Sequence, residues 1–227
     1  MITTVIFDLD DTLYDEIDYC RSGFAAVAEE LAAQPKMPGQ QQLCQAFWDT
    51  FYDGNHTTTF NAALEHLGIP YNQQLIEELV TTYRQHTPAI PLPAETKQVL
   101  HILARSYTLA LLTDGFLPAQ QLKVKALGIE KYFKSIVYSE QLGRQCWKPS
   151  PVGFERLLET LKVKPRDCGY VADDAQKDFI APNRLGMVTI QVKRPRRLHT
   201  ACPTQTIATP KHTITRLADL PDLLECL

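Results

Sequence analysis

The chain has 227 residues, enough for one large domain or for a core domain with a smaller one attached. Its 44% apolar and 22% charged residues exclude a disordered chain. The net charge of −3 offers no basic surface for nucleic acid or membrane. No apolar run approaches the ~20 residues that span a bilayer. The N-terminus enters a strand with no basic region and no signal-peptide core, so a cytoplasmic protein is expected. Cys20, Cys44, Cys146, Cys168, Cys202 and Cys226 are scattered without a CxxC pair, which reads as free thiols. His199 and Cys202 lack the second pair that would complete a zinc site.

The first element is a short apolar run, Val5-Ile6-Phe7, that reads as a buried strand. From about Asp15 to Thr87 the period changes. Phe24, Val27, Ala28, Leu31 and Ala32 recur at helical spacing, and Gln34–Gly39 breaks that helix. Further helices are expected at Gln40–Asp53, Thr58–Leu67 (closed by Gly68) and Asn72–His86 (stopped by Pro88). Four consecutive helices describe a small α-helical unit inserted into something else. The remainder alternates: helix Ala94–Ala104, strand Thr108–Leu112, helix Leu117–Leu127, strand Ser135–Tyr138, helix Pro151–Leu161, strand Cys168–Ala172, helix Ala175–Leu185, strand Met187–Val192. A basic loop follows from Lys193, then a last strand near Thr213–Ile214 and a helix at about Leu220–Leu224. Short apolar strands alternating with amphipathic helices predict an α/β fold with a doubly wound parallel sheet. Residues 1–14 and 93–227 would form its core, and residues 15–92 the helical insertion.

In such a sheet ligands bind beyond the carboxyl ends of the strands. Chemistry-bearing residues stand at four of these ends. Asp8 and Asp10 follow the first strand, and two like charges so close call for a cation or a shared proton between them. One carboxylate can attack phosphorus as a nucleophile while its neighbour moves protons. Turn and cap chemistry is the other reading of an Asp-rich strand end. Thr113-Asp114-Gly115 follows the second strand, where a hydroxyl and free N–H groups make either a helix cap or a phosphate cradle. Lys148, held by Pro149 and Pro151, precedes a helix and supplies a point charge suited to a phosphoryl group. Asp173, Asp174 and Asp178 follow a later strand. Hard carboxylate oxygens in this number suit Mg²⁺, with Asp8, Asp173 and either Asp178 or Asp174 as ligands.

Taken in order, these segments resemble the four motifs of the haloacid dehalogenase-like hydrolase superfamily. DxDxT is matched by Asp8-Leu9-Asp10-Asp11-Thr12, the strand-end hydroxyl by Thr113, the Lys-Pro by Lys148-Pro149, and the acidic pair by Asp173 and Asp178. The resemblance covers residues 1–14 and about 94–192, and residues 15–92 are similar to that family's helical cap. It implies Asp8 as nucleophile, Asp10 as general acid and base, and Thr113 and Lys148 as holders of the phosphoryl group. It implies Mg²⁺ on Asp8, the main-chain carbonyl of Asp10 and Asp173, with Asp178 ligating or supporting. The substrate-binding set is Thr12, Asp114, Gly115 and Arg21, Thr12 acting through the orientation of the first loop. Trp48, Tyr52 and His56 either face the substrate or fill the helical core. Two departures stand out: Ala172 where the family commonly has Gly, and Asp174 where Ser or Asn is frequent, which leaves the roles of Asp174 and Asp178 open.

The expected function is Mg²⁺-dependent hydrolysis of a small phosphorylated metabolite through an aspartyl-phosphate. A phosphotransferase or phosphomutase shares the same motifs. A 2-haloacid dehalogenase lacks the acid two residues after the nucleophile, and a receiver-like signalling domain is shorter and has no insertion after its first strand. A P-loop kinase is excluded by the absence of GxxxxGK[ST]. Nothing in the sequence signals an oligomeric state.

Overall fold

The computed structural model describes residues 1–227. The chain divides into two compact units, Met1–Ile17 with Ile90–Leu227, and Asp18–Ala89.

The first unit is built on six parallel strands: β1 (Thr4–Phe7), β2 (Thr108–Thr113), β3 (Ser135–Tyr138), β4 (Cys168–Ala172), β5 (Val188–Val192) and β6 (His212–Ile214). Their order across the sheet is β3-β2-β1-β4-β5-β6. Every residue of β1 and β4 is buried, as expected of central strands covered on both faces. The chain runs outward from β1 through β2 to β3, then returns to place β4 on the other side of β1. That reversal is the topological switch point at which such sheets open a crevice. Phe7 is in register with Leu111 and with Val171, so the residues that follow β1, β2 and β4 emerge on one edge.

Helices α5 (Ala94–Leu103), α6 (Ala119–Leu127), α7 (Val152–Leu161), α8 (Ile180–Leu185) and α9 (Leu220–Glu225) belong to this unit. One core cluster joins Ile6, Ala110, Leu112, Phe154, Leu157 and Tyr170. Helix α6 starts at Ala119 rather than Leu117, directly after Pro118, where a missing N–H costs no hydrogen bond. Helix α8 is the larger correction. The pattern predicts a helix from Ala175, but Ala175–Phe179 is a run of turns. Pro182 would interrupt the longer helix from inside, whereas it is tolerated in the first turn of the shorter one. The carboxylates also compete for the backbone: Asp178 accepts from the Asp174 N–H (3.0 Å) and Asp174 from the Gln176 N–H (2.9 Å).

The second unit contains most of α1 (Glu16–Ala32) with α2 (Gln40–Tyr52), α3 (Thr59–His66) and α4 (Gln73–Gln85). Asn72 caps α4 by accepting from the Leu75 N–H at 2.9 Å. Its core is aromatic: Phe24 meets Phe47, Phe51, Phe60 and Tyr83 with ring centroids 5.7–6.1 Å apart. Trp48 packs edge-on against Phe24 and stacks on the exposed Tyr52, while His56 stacks on Phe51.

Helix α7 lies close to the sheet at Gly153, where a Cβ would come within 2.6 Å of Leu112 Cδ1, a side chain that is itself buried. We expect Gly153→Ala to lower the unfolding free energy by ~1–3 kcal/mol through this overpacking. Urea denaturation checks it, and an unchanged midpoint would mean that α7 has room to move away.

Candidate active site

The edge above β1, β2 and β4 carries a buried charge cluster. Asp8 extends the β1–β4 ladder by one step, its N–H donating to the Val171 carbonyl at 2.9 Å. Its Oδ1 then accepts from Lys148 Nζ at 2.6 Å. The same ammonium lies 2.8 Å from Asp178 Oδ1, an ion pair without hydrogen-bond alignment, and donates to the Tyr170 hydroxyl at 3.2 Å. The Lys148 and Asp178 side chains are 2% and 0% exposed. Asp173 completes the cluster: one oxygen each from Asp8, Asp173 and Asp178 lie within 4.8 Å of one another. Asp173 Oδ2 is buried without a hydrogen-bond partner. Three enclosed carboxylates around a single enclosed ammonium leave excess negative charge and an orphaned oxygen. That donor set of hard oxygens could hold a metal ion.

Asp10 faces a different environment. Lys123 Nζ reaches both of its oxygens, at 2.9 and 3.0 Å. Gln120 donates to Oδ2 at 2.8 Å, and the Tyr14 hydroxyl donates to Oδ1. Gln120 also donates to Thr113 Oγ1 at 2.6 Å, tying Asp10 to the strand-end hydroxyl. Gly115, at φ 140°, gives Gln120 this space, since a Cβ there would lie 2.8 Å from the Gln120 side chain.

The remaining predicted residues divide by place. Asp114 uses its carboxylate within the protein: it accepts from the Ser139 hydroxyl and from the Lys148 N–H (3.0 Å), so it anchors the lysine loop. Thr12 is fully buried, with its hydroxyl unpartnered, and does not line the cavity, because the tight loop after β1 turns it inward. Arg21 belongs to the helical unit, where it pairs with Asp18 at 2.8 Å. Asp174 turns its carboxylate to the Gln176 N–H and to Lys177 (3.8 Å), away from the three-acid cluster. A cavity of about 220 Å³ opens over Asp8, Asp10, Asp114, Gly115, Lys148 and Asp173, with Glu16, Phe116, Trp147, Lys177 and His199 also lining it, while Thr113 is buried beneath it and is not part of its lining.

The two acids of the first loop differ in proton affinity, and the cause is their partners. Burial pushes Asp8 up to about 7, Lys148 acting against it and Asp178 with it. Burial also pushes Asp10 up, but the Lys123 charge and the hydrogen bonds from Tyr14, Lys123 and Gln120 outweigh it and hold the carboxyl below its usual range. Asp173 is driven up to about 10 by burial and then by Asp178 and Asp8. Glu16 is raised to about 7 by burial and by Asp10. For Lys148 burial works against the charged form, but Asp178 and Asp8 more than compensate and the ammonium is held well above its ordinary range.

Sequence reading passed over Tyr14, Glu16, Gln120 and Lys123. For the α6 pair a signal was present. Gln120, Lys123, Val124 and Leu127 stand at i, i+3, i+4 and i+7, the spacing of a buried helix face, and two of the four are polar. A lysine and a glutamine on such a stripe require partners, which the Asp10 carboxylate and Thr113 supply.

A model of the haloacid dehalogenase-like hydrolase family matches residues 5–192. The chain belongs to this hydrolase family. It is 30% identical over 202 residues to a glyceraldehyde 3-phosphate phosphatase of Methanopyrus kandleri, covering 86% of this chain and 85% of the relative. It is 25% identical to the N-acylneuraminate-9-phosphatase of Mus musculus, covering 100% of this chain and 95% of the relative. Among solved structures, a 2-haloacid dehalogenase from Pseudomonas syringae pv. Tomato DC3000 superposes with a TM-score of 0.68 at 26% identity, over 100% of this chain and 99% of that one. No helix is long and apolar enough to cross a membrane.

The raised acids set a pH dependence. Asp8, Glu16 and Asp173 keep protons in the folded chain that the unfolded chain releases near 3.8 to 4.5. Their stabilising contribution is therefore complete below that range and is lost as pH rises through about 7 for Asp8 and Glu16, and on toward 10 for Asp173. With a chelator present, we expect the melting temperature to fall between pH 5 and pH 9, by on the order of 5 °C. A flat or rising profile at constant ionic strength would show that the carboxylates are not buried together as described.

Proposed function

We propose that the chain is a Mg²⁺-dependent phosphatase that hydrolyses a small phosphorylated metabolite through an aspartyl-phosphate on Asp8. The observation that carries this reading is the Asp8 carboxylate held against Lys148 in the cavity, with a second acid, Asp10, two residues on in a separate hydrogen-bonded setting. The phosphatase names of the relatives support the reaction and the class of substrate. Asp10 favours it over carbon–halogen cleavage, which by family resemblance goes with the loss of that acid.

In this reading Lys148 and the Thr113 hydroxyl hold the phosphoryl oxygens. The Thr113 hydroxyl accepts from Gln120 and donates to the Asp114 carbonyl at 3.5 Å, a long contact that a phosphoryl oxygen would replace. An Asp8 oxygen attacks phosphorus, the ester P–O bond breaks, and Asp10 gives its proton to the leaving oxygen. Water then attacks the aspartyl-phosphate, Asp10 takes a proton from it, the Asp8–phosphorus bond breaks, and inorganic phosphate leaves. Asp114 acts indirectly, by fixing the backbone that presents Lys148. Mg²⁺ fits the Asp8, Asp173 and Asp178 oxygens, and when bound it supplies positive charge against the phosphoryl oxygens. By the family resemblance the helical unit, Asp18–Ala89, is the cap domain, to which the selection of small substrates is assigned.

We expect phosphate release from p-nitrophenyl phosphate and from glyceraldehyde 3-phosphate with Mg²⁺ and none with a chelator. Asp8→Asn should lose at least ~10³-fold in kcat, as removal of a covalent nucleophile does. Full activity of Asp8→Asn, or no hydrolysis of any phosphate monoester with metal, would overturn the reading.

A further inference from the structure

We propose that Lys123, on α6, is the positioning residue for Asp10: it orients the carboxyl toward the leaving oxygen and offsets the charge left once the proton has gone. The proposal rests on the reading of Asp10 as proton carrier. Lys123 is a buried lysine, its side chain 5% exposed, and it makes two hydrogen bonds to one carboxylate. A lysine brought this far from water must answer a specific charge. It comes from a helix that contributes no residue to the three-acid cluster. One turn earlier Gln120 binds the same carboxylate and also Thr113, so this face of α6 links the proton-carrying acid to the hydroxyl at the end of β2. The Glu16 carboxyl lies 4.0 Å from Lys123 on the cavity side.

The chemical consequence is confined to one step. As phosphorus passes from the ester oxygen to Asp8, the ester P–O bond breaks and the Asp10 proton moves to the leaving oxygen. Asp10 becomes a carboxylate beside a fixed ammonium. A poor leaving group such as an alkyl alkoxide depends on that proton, whereas p-nitrophenolate departs without it. Lys123 therefore matters for alkyl phosphates and much less for p-nitrophenyl phosphate.

The test compares kcat/KM for glyceraldehyde 3-phosphate and p-nitrophenyl phosphate in wild type, Lys123→Met, Lys123→Gln, Lys123→Arg and Asp10→Asn, all with Mg²⁺. kcat/KM reports the steps through phosphoryl transfer to the enzyme and leaves out the later hydrolysis. We expect Lys123→Met to lower the alkyl-to-aryl ratio by ~10–100-fold, a large part of what a general acid contributes. Lys123→Arg should restore most of the ratio. Lys123→Gln keeps a donor for Asp10, so it secures a folded protein, and it should shift the ratio in the same direction by less. Equal losses on both substrates in Lys123→Met and Lys123→Gln, with the ratio still falling in Asp10→Asn, overturn the Lys123 proposal and leave the proton-carrier reading standing. Equal losses in Asp10→Asn overturn both.

Discussion

One buried ammonium facing too many carboxylates is the constraint on which the rest of this site depends. Lys148 lies within 2.6 Å of Asp8 and 2.8 Å of Asp178, and Asp173 stands in the same cluster with an oxygen that nothing satisfies. Such a group of charges is costly in a protein interior unless a proton or a cation balances it. The fold brings it about by parallel register: β1 and β4 pair so that Asp8 and Asp173 leave the sheet on the same edge. The Lys148 loop is then pinned to that edge by Asp114.

The same sheet separates two acids that stand two positions apart in sequence. Asp8 turns toward β4 and the lysine. Asp10 turns toward α6, where Lys123, Gln120 and Tyr14 surround it. Two carboxylates in one short loop thus have opposite proton affinities because different elements pack against them. As the side chains stand, Asp8 has the higher proton affinity of the two, and a cation on the Asp8, Asp173 and Asp178 oxygens would lower it and free Asp8 as a nucleophile.

The sheet and its strands were legible in the sequence. Apolar runs and helical periods are local signals, and DxDxT, Thr113 and the acidic pair sit where strands stop, while Lys-Pro follows the end of β3 only after the short turns Ser139–Leu142 and Arg144–Cys146. The start of α8 was not legible from periodicity. The carboxylates of Asp174 and Asp178 bind backbone N–H groups there, and Pro182 limits how far back the helix can run. Thr12 belongs to the same motif yet faces inward, since a motif constrains the loop without saying which side chains reach the cavity. Lys123 and Gln120 are distant in sequence from every motif. Only the polar pair on the buried stripe of α6 points to them. Partners that act through tertiary contact leave this fainter trace.

The account rests on Asp8 as the atom that bonds to phosphorus. Rapid acid quench during turnover, followed by peptide mass spectrometry, measures this directly, with Asp10→Asn included to slow the second step. The account predicts one added phosphoryl group, carried by the peptide that contains Asp8 and localised to that side chain. Phosphoryl transfer to any other residue, or turnover with no phosphorylated protein at any quench time in either enzyme, would contradict it.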